Sequence, residues 1–418
     1  MMRTKRFIAI FLCLMLVSNG LLCLTGCSVK TESDDLMKGI TSEQVFGKAA
    51  DDAFITGTAD FAIRLFQSAR NVDKNSLISP LSVLLALSMT ANGAEGETLA
   101  QMEALLGGGI PIEDLNEYLL AYANTLPTDE KTKLTIANSI WFRDSSFTVE
   151  ENFLQKNADY YDTSAYKAAF DEKTRQEINT WVEENTDGMI MEIIDRIDPT
   201  AVMYLVNAVL FDAEWQNIYY DFQVDDGVFT ATDDTEKTVS MMHSSESFYL
   251  DDGKATGFIK PYKNGYSFVA LLPNEKIALD DYVASLTGET FLGTVKNATE
   301  VSVGASIPKF SYEYGIEMSG ALKSLGMTLP FDVEHADFSR LGHSSEGNIY
   351  ISRVLHNAYI AVDEKGTKAG AATVVEPAAG DTGADTYRVI LNRPFVYAII
   401  DDATGLPIFI GAVTDIQE

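Results

Sequence analysis

Between Val362 and Val389 the chain reads VDEKGTKAGAATVVEPAAGDTGADTYRV, a run rich in Ala, Gly, Thr and Val with no aromatic residue before Tyr387. The strongly apolar NRPFVYAIIDDATGLPIFIGAV comes after it, close to the end of the 418-residue chain. That tail is too short to be a domain of its own. It is also too apolar to be left in water, so it must pack into the same core as the residues before it. The linker-like run is therefore a loop of more than twenty residues inside one compact body. Loops of that length without structure of their own are uncommon and usually functional.

A core large enough to receive the tail is available, because 46% of the residues are hydrophobic and only 22% charged. The formal charge of −30, from 61 acidic against 31 basic residues, argues against nucleic acid or heparin-like partners, which need clustered Lys and Arg. It is read as a well-solvated surface. Three of the four histidines, His243, His335 and His343, sit singly in polar contexts without metal-ligand spacing, so neither a metal nor a cofactor is expected.

The N-terminus is addressing, not fold. MMRTKRFIAIFLCLMLVSNGLLCLTGC opens on Arg3, Lys5 and Arg6 and continues with an apolar run, Phe7 to Val17, too short to span a bilayer. Leu24-Thr25-Gly26-Cys27 resembles a bacterial lipobox, which implies a signal peptide over 1–26 and lipidation of Cys27. Cleavage there would also remove Cys13 and Cys23, leaving one cysteine and no internal disulfide. Residues 27–47 are polar and weakly patterned, and read as a lipidated cysteine with a flexible tether reaching roughly 25 Å. The chain is thus expected outside the cytoplasm, anchored by its lipid to the membrane or surface of a bacterium.

In the body, TADFAIRLFQSARN carries Phe61, Leu65 and Phe66 at helical spacing. Ser79-Pro80 is a helix start before the apolar run Leu81 to Met89. KLTIANSIWF and VMYLVNAVLF are β-rich and too continuous for surface strands, yet each holds one Asn, Asn138 and Asn207. EINTWVEENTDGMI reads as a helix ending near Asn185 and Gly188, and from Ser247 onward the pattern is mostly strands and turns. The last two strands form a hairpin turning over Asp401 to Gly405.

Several of these segments, in order, resemble the signatures of the serpins. NSLISPLSVLLALSMTANGAEGETLAQM is similar to the family's N-terminal signature. INTWVEENTDGMI, LVNAVLFDAEW, KPYKNGYSFVALLPNE, IPKFSYEYGIEMSGALKSLGM and HADFSRL stand where serpins have them. VLHNAYIAVDEKGTKAGAATVVE resembles the strand and hinge before the reactive loop, and NRPFVYAIIDDATGLPIFIGAV the closing signature. The resemblance covers residues 48–418. It implies an α+β fold of one domain with three β-sheets, about eight or nine helices and an exposed reactive-centre loop near 364–390. It also implies a function: a serine protease cuts the loop, forms an acyl-enzyme, and is trapped when the loop inserts as a new strand of the main sheet.

The resemblance assigns roles. The hinge is Glu364, Gly366, Thr367, Ala369, Gly370, Ala371 and Ala372. A polar cluster pinning the sheet where it opens is Ser79, Ser82, Asn138, Asn207 and His356, and Trp215 lies at the upper end of that sheet. The scissile bond falls at Gly380-Asp381 when counted from Glu364, nearer Gly383 when counted back from Pro394, while Ala379 or Ala378 would better suit an elastase-like pocket. No Lys or Arg lies between Lys368 and Arg388, so elastase-like or subtilisin-like proteases are the expected partners rather than trypsin-like ones. The residues themselves suit insertion. Odd positions from Thr367 to Ala379 carry no charge, and Lys368 and Glu376 share the other face of a period-two strand. Thr367 to Gly380 would span roughly 46 Å. Lys368 departs from the family, which has an acid there, and Pro377 would end the ladder. No heparin-type activator is expected, since the matching segment near Leu105 to Lys133 holds only Lys131 and Lys133 against five acids. A monomer is expected.

The alternative within the family is a non-inhibitory member acting as a cell-surface binding module, which the small hinge residues disfavour. An enzyme is disfavoured too: GHSSEG superficially matches a hydrolase elbow, but Glu346 stands where that motif needs Gly. A lipid-anchored solute-binding protein would explain the lipobox but neither the hinge nor the closing signature.

Overall fold

The two apolar runs with the embedded Asn residues form the centre of the molecule, as the two longest strands of a buried sheet. The computed structural model describes residues 33–144, 147–198, 200–345, 347–367 and 387–416. Among these are nine α-helices: α1 (Asp52–Ala69), α2 (Pro80–Ala91), α3 (Gly96–Leu106), α4 (Ile112–Thr125), α5 (Glu151–Tyr161), α6 (Glu172–Asn185), α7 (Leu279–Ser285), α8 (Gly288–Lys296) and α9 (Ser319–Ser324). The strands are β1 (Asp34–Asp35), β2 (Ser76–Ile78), β3 (Thr132–Arg143), β4 (Phe147–Val149), β5 (Ser164–Ala168), β6 (Met203–Glu214), β7 (Val224–Thr230), β8 (Glu236–Asp251), β9 (Ala255–Pro261) and β10 (Tyr266–Pro273). They continue with β11 (Thr299–Pro308), β12 (Phe310–Glu317), β13 (Gly342–Ser344), β14 (Arg353–Val362), β15 (Gly366–Thr367), β16 (Tyr387–Ile390), β17 (Phe395–Asp401) and β18 (Pro407–Val413).

These strands make three sheets among the described residues. The first has the order β1-β5-β3-β6-β15-β14-β12; the second has nine strands and includes the C-terminal hairpin; the third is the pair β13-β4. The tail does pack into the common core, with β17 and β18 buried throughout between β10 and β2. Helix α2 lies between the two large sheets, touching β3 and β6 on one side and β18 on the other. That is why all twelve of its residues are buried and its sequence shows no polar stripe. Ser79 caps it, accepting from the Ser82 amide, with Pro80 in the first turn.

Strand β6 is apolar on both faces because both are covered. Met203, Leu205, Val209 and Phe211 belong to the main core, while Tyr204, Val206 and Ala208 join a second cluster with Ile178 and Val182 of α6. Helix α6 is held by the capping residue Asp171, which accepts from the Lys173 and Thr174 amides. The second cluster also takes in Leu355 of β14, so α6 sits over the line where β6 and β14 meet.

One sequence reading needs correction. Residues 33–47 are not a free tether in the described part. Asp34–Asp35 pair antiparallel with β5, the Leu36 amide donates to Ala165 (2.9 Å), Gln155 donates to the Thr41 carbonyl (2.9 Å), and Leu36, Met37 and Ile40 pack on the core. Three apolar residues within a polar run supplied enough area to dock it. The region after Ser247 is mostly strands and turns, as expected, with the short helices α7, α8 and α9 among them. Helices of seven, nine and six residues are too short to show a helical period in sequence. The signal peptide and Cys27 lie outside the described residues. No helix among the described residues is long and apolar enough to cross a membrane.

Ile178→Ala is expected to destabilise the protein by roughly 2–4 kcal/mol, because it leaves a cavity between α6 and the sheet. Urea unfolding followed by circular dichroism checks this; a loss below about 1 kcal/mol would mean that α6 does not clamp the sheet.

Candidate functional site

The site is the line between β6 and β14. These strands run parallel and pair directly, Tyr204 to Val209 against Arg353 to Ala358. Asn207 faces His356 across this seam and Asn138 across the β3 side, so three polar residues occupy one row of three adjacent strands. All are buried, and so are Ser79 and Ser82 of the overlying helix start. The hydrogen bonds close on themselves. The Ser79 amide donates to His356 Nε2 (3.2 Å), so the ring proton is on Nδ1, which donates to Asn207 Oδ1 (2.5 Å). Asn207 Nδ2 donates to Asn138 Oδ1 (2.5 Å), to the Ser82 carbonyl (3.1 Å) and to the Ser82 hydroxyl. The five residues expected from sequence are thus brought together, with Asn207 bonded to Ser82, Asn138 and His356, and His356 in turn to the Ser79 amide.

Burial lowers the His356 pKa from 6.5 to about 3. The geometry agrees, since a second ring proton on Nε2 would point at the Ser79 N–H. The imidazole is therefore a neutral structural bridge, donor on one side and acceptor on the other.

Above this row the two strands part, and the hinge enters between them. Val362 ends β14, residues 363–366 turn, and Gly366–Thr367 form β15, antiparallel to both neighbours: Thr367 pairs with Val362 and Ala213, Gly366 with Glu214. The turn is closed by Asp363, whose side chain accepts from the Lys365 (2.7 Å) and Gly366 (3.2 Å) amides and whose own amide donates to the Gly366 carbonyl (3.0 Å). Glycine is required at 366, because a Cβ there would lie 1.9 Å from the Ala213 carbonyl oxygen. Trp215, just past β6, holds the turn: its indole donates to the Asp363 carbonyl (2.9 Å) and its amide to the Lys365 carbonyl (2.8 Å). The Tyr219 amide donates to the Glu364 carbonyl (2.8 Å). Burial works against the Glu364 charge, but the Lys309 hydrogen bond, a backbone hydrogen bond and the Lys309 and Lys365 charges together outweigh it and hold the carboxyl below its usual range. Ala369, Gly370, Ala371 and Ala372 of the expected hinge lie outside the described residues. So do the candidate bonds at Ala378, Ala379, Gly380, Asp381 and Gly383.

A parallel seam with a strand begun at its upper end invites comparison with known proteins. A family model described as "Serpin (serine protease inhibitor)" matches residues 56–416. Serpin-ZXA of Oryza sativa subsp. japonica is 30% identical over 392 residues, covering 86% of this chain and 97% of that protein. The crystal structure of a thermophilic serpin, tengpin, in the native state is similar at 52% identity and a TM-score of 0.89, covering 92% of this chain and all of that one. The same protein in its latent state matches at 50% identity and a TM-score of 0.79, covering 89% of this chain and all of that one. The chain belongs to the serpin family.

Sequence reading of this serpin missed side chains that the fold brings to the hinge. Tyr262 stacks on Trp215 (4.3 Å between centroids, 13°) and shares a hydrogen bond with the Thr367 hydroxyl. Lys309 pairs with Glu364 from over fifty residues away. Lys260 and Glu246 form a fully buried ion pair (2.9 Å), with the ammonium 4.3 Å from the Tyr219 ring. Tyr262 and Lys260 stand in KPYKNG and Lys309 in IPKF, both within signature segments, but nothing in either segment names a partner far along the chain.

The serpin also contains a Ser–His–Asp array that sequence did not indicate. His243 Nδ1 lies 2.8 Å from Ser306 Oγ and Nε2 lies 2.9 Å from Asp225 Oδ1. Ser306 is buried mid-strand in β11, with β8 and β16 paired on either side, so no substrate carbonyl can approach its oxygen. The array is a cross-strand brace. Among the described residues no three His, Cys, Asp or Glu side chains are placed to hold a metal.

The seam makes stability depend on pH. In the folded serpin His356 stays neutral down to about pH 3, whereas in the unfolded chain it protonates near 6.5. The unfolded state therefore binds more protons between these values, and stability falls as pH drops from 6.5 toward 3. Urea titrations at pH 7 and pH 4.5 should show a loss of roughly 2 kcal/mol or more in wild type from this group. The pH-dependent part should be smaller in His356→Gln, which should itself lose roughly 1–3 kcal/mol at pH 7. Equal pH slopes in the two proteins would mean that His356 is not held neutral.

Proposed function

We propose that this serpin is a suicide inhibitor of serine proteases, of elastase-like or subtilisin-like specificity. The observation that carries the reading is β15: two residues already antiparallel between two parallel strands, above a seam that any longer insertion must part. Only an antiparallel strand can enter between them from a turn at the end of β14, and the loop sequence is built to continue that strand.

Carrying the register downward puts position 371 between Val209 and Ala358 and position 373 between Asn207 and His356. Thr373 would then stand where the seam hydrogen bond now is, with a hydroxyl able to replace it. Thr367 faces the inner core, so the uncharged odd positions follow it inward while Lys368 and Glu376 face outward. Lys368, the departure from the family pattern, falls beside Asp212. Pro377 falls opposite Met203, where β6 begins, so its missing N–H interrupts no central pairing.

In this mechanism the protease serine adds to the scissile carbonyl, the peptide nitrogen leaves with a proton, and an ester joins the two proteins. Insertion then competes with attack of water on that ester. Small residues from Ala369 to Ala372 favour insertion because little has to be desolvated or reoriented on the way. Each molecule is consumed once, so the protein is an inhibitor and not a catalyst. The reading extends to a monomer that works outside the cytoplasm of a bacterium, lipid-anchored through Cys27, and needs neither cofactor nor polyanionic activator.

The test is a denaturing gel of the chain lacking residues 1–27 mixed with an elastase-like protease, subtilisin or trypsin. A band near the summed mass with the first or second, and a released peptide cut between Ala378 and Gly383, is the expected result. Clipping of the loop with each protease left active would reject the reading in favour of a binding role. Thr367→Arg should be cut at the wild-type rate yet lose at least about nine-tenths of the covalent band, since the seam would have to bury an unpaired guanidinium.

A further inference from the structure

We propose that the Tyr262 hydroxyl is a latch that holds the first pair of the inserting strand in place before the loop is cut, which makes Tyr262 a positioning residue for trapping. The inference rests on the inhibitory reading above and deepens it.

The geometry is specific. Thr367 is 2% exposed, and among the described residues β15 pairs only at Gly366 and Thr367, between β6 and the end of β14. A pair of residues is a poor β-strand by itself. What fixes it sideways is the hydrogen bond between its Oγ1 and the Tyr262 hydroxyl. Tyr262 is itself fixed: its ring is stacked on Trp215, meets Phe211 edge-on (5.2 Å, 77°), and its amide donates to the Tyr266 carbonyl (2.9 Å). The ring neighbours are the end of β6 and the residue after it, so the hydroxyl is referenced to the strand that the loop must join. Burial pushes the Tyr262 hydroxyl well above the usual tyrosine range, so it keeps its proton at any pH the protein meets. Trp215, which stacks on it, also binds the turn at Asp363 and Lys365. Ring, turn and strand therefore form one rigid corner.

The consequence for trapping comes from loop closure. Insertion is a zipper whose slow part is the start, when the chain must be brought into register before further pairs form. With Thr367 already seated, the start is complete before cleavage, and only propagation races the hydrolysis of the ester. Without the latch, the Thr367 hydroxyl is buried without its partner, which favours its leaving the seam, and each acylation begins one step back.

Three variants separate this from a general packing role: Tyr262→Phe keeps the ring and its stack, Thr367→Val keeps the shape, and the double variant removes both ends of the bond. Two readouts are used. Hydrogen exchange of the uncut protein, resolved by mass spectrometry for the peptide containing residues 363–367, reads the latch without any protease. The stoichiometry of inhibition, the moles of inhibitor consumed per mole of protease trapped, reads its effect. Each single variant should raise exchange in that peptide about fivefold and raise the stoichiometry at least about twofold, with cleavage rate unchanged. The double variant should raise both no further than a single variant does, because all three lack the same one bond. Unchanged exchange in both single variants overturns the latch. Raised exchange with an unchanged or lower stoichiometry overturns its role in trapping. If wild type traps no protease, the inhibitory reading fails, while the exchange result still decides whether the latch exists.

Discussion

The whole arrangement depends on two parallel strands that touch. A parallel pair joined only through distant segments can be separated and refilled, because a strand entering from the end of one of them is antiparallel to both and finds ladders on each side. Here β6 and β14 are that pair, and the two residues of β15 lie antiparallel to both at one end of it. Had β6 and β14 been antiparallel, a hairpin continuing from β14 could not have met both with the same antiparallel pairing.

The seam is closed by polar, not apolar, contacts at its middle row. The Asn138, Asn207 and His356 row presents donors and acceptors that are satisfied now and can be satisfied again by a hydroxyl between them. The neutral imidazole matters because a charged one would have to be desolvated in both arrangements. Outside this row the closure is by packing, with α6 over one face and α2 under the other.

The fold was legible in sequence wherever a residue's role is local or periodic. The Ser79-Pro80 start, the helix ending at Asn185 and the terminal hairpin follow from capping and turn chemistry. The continuous apolar character of β6 announced a strand covered on both sides. The Asn in each central strand stood out because a polar residue in a buried run needs a partner, whereas His356 was singled out only through the family resemblance. The docking of residues 33–47 was not legible, since Leu36, Met37 and Ile40 are spaced too irregularly to signal a surface that exists only once α5 and β5 are in place. Helices α7 to α9 were hidden by their length. The Tyr262–Thr367 bond and the Lys309–Glu364 pair join residues far apart in sequence, and neither partner is unusual where it stands.

Sequence alone determined that the chain has one large core, a small-residue loop that can lie in a strand with its charges on one face, and a tail that returns to the core. These are matters of composition and period, which every residue carries with it. Only the tertiary structure decided that β6 and β14 are neighbours, that Asn138, Asn207 and His356 fall in one row, and that Gly366 and Thr367 sit between the strands. Those facts are set by strand order and register, which depend on how the rest of the chain packs and not on the residues that meet.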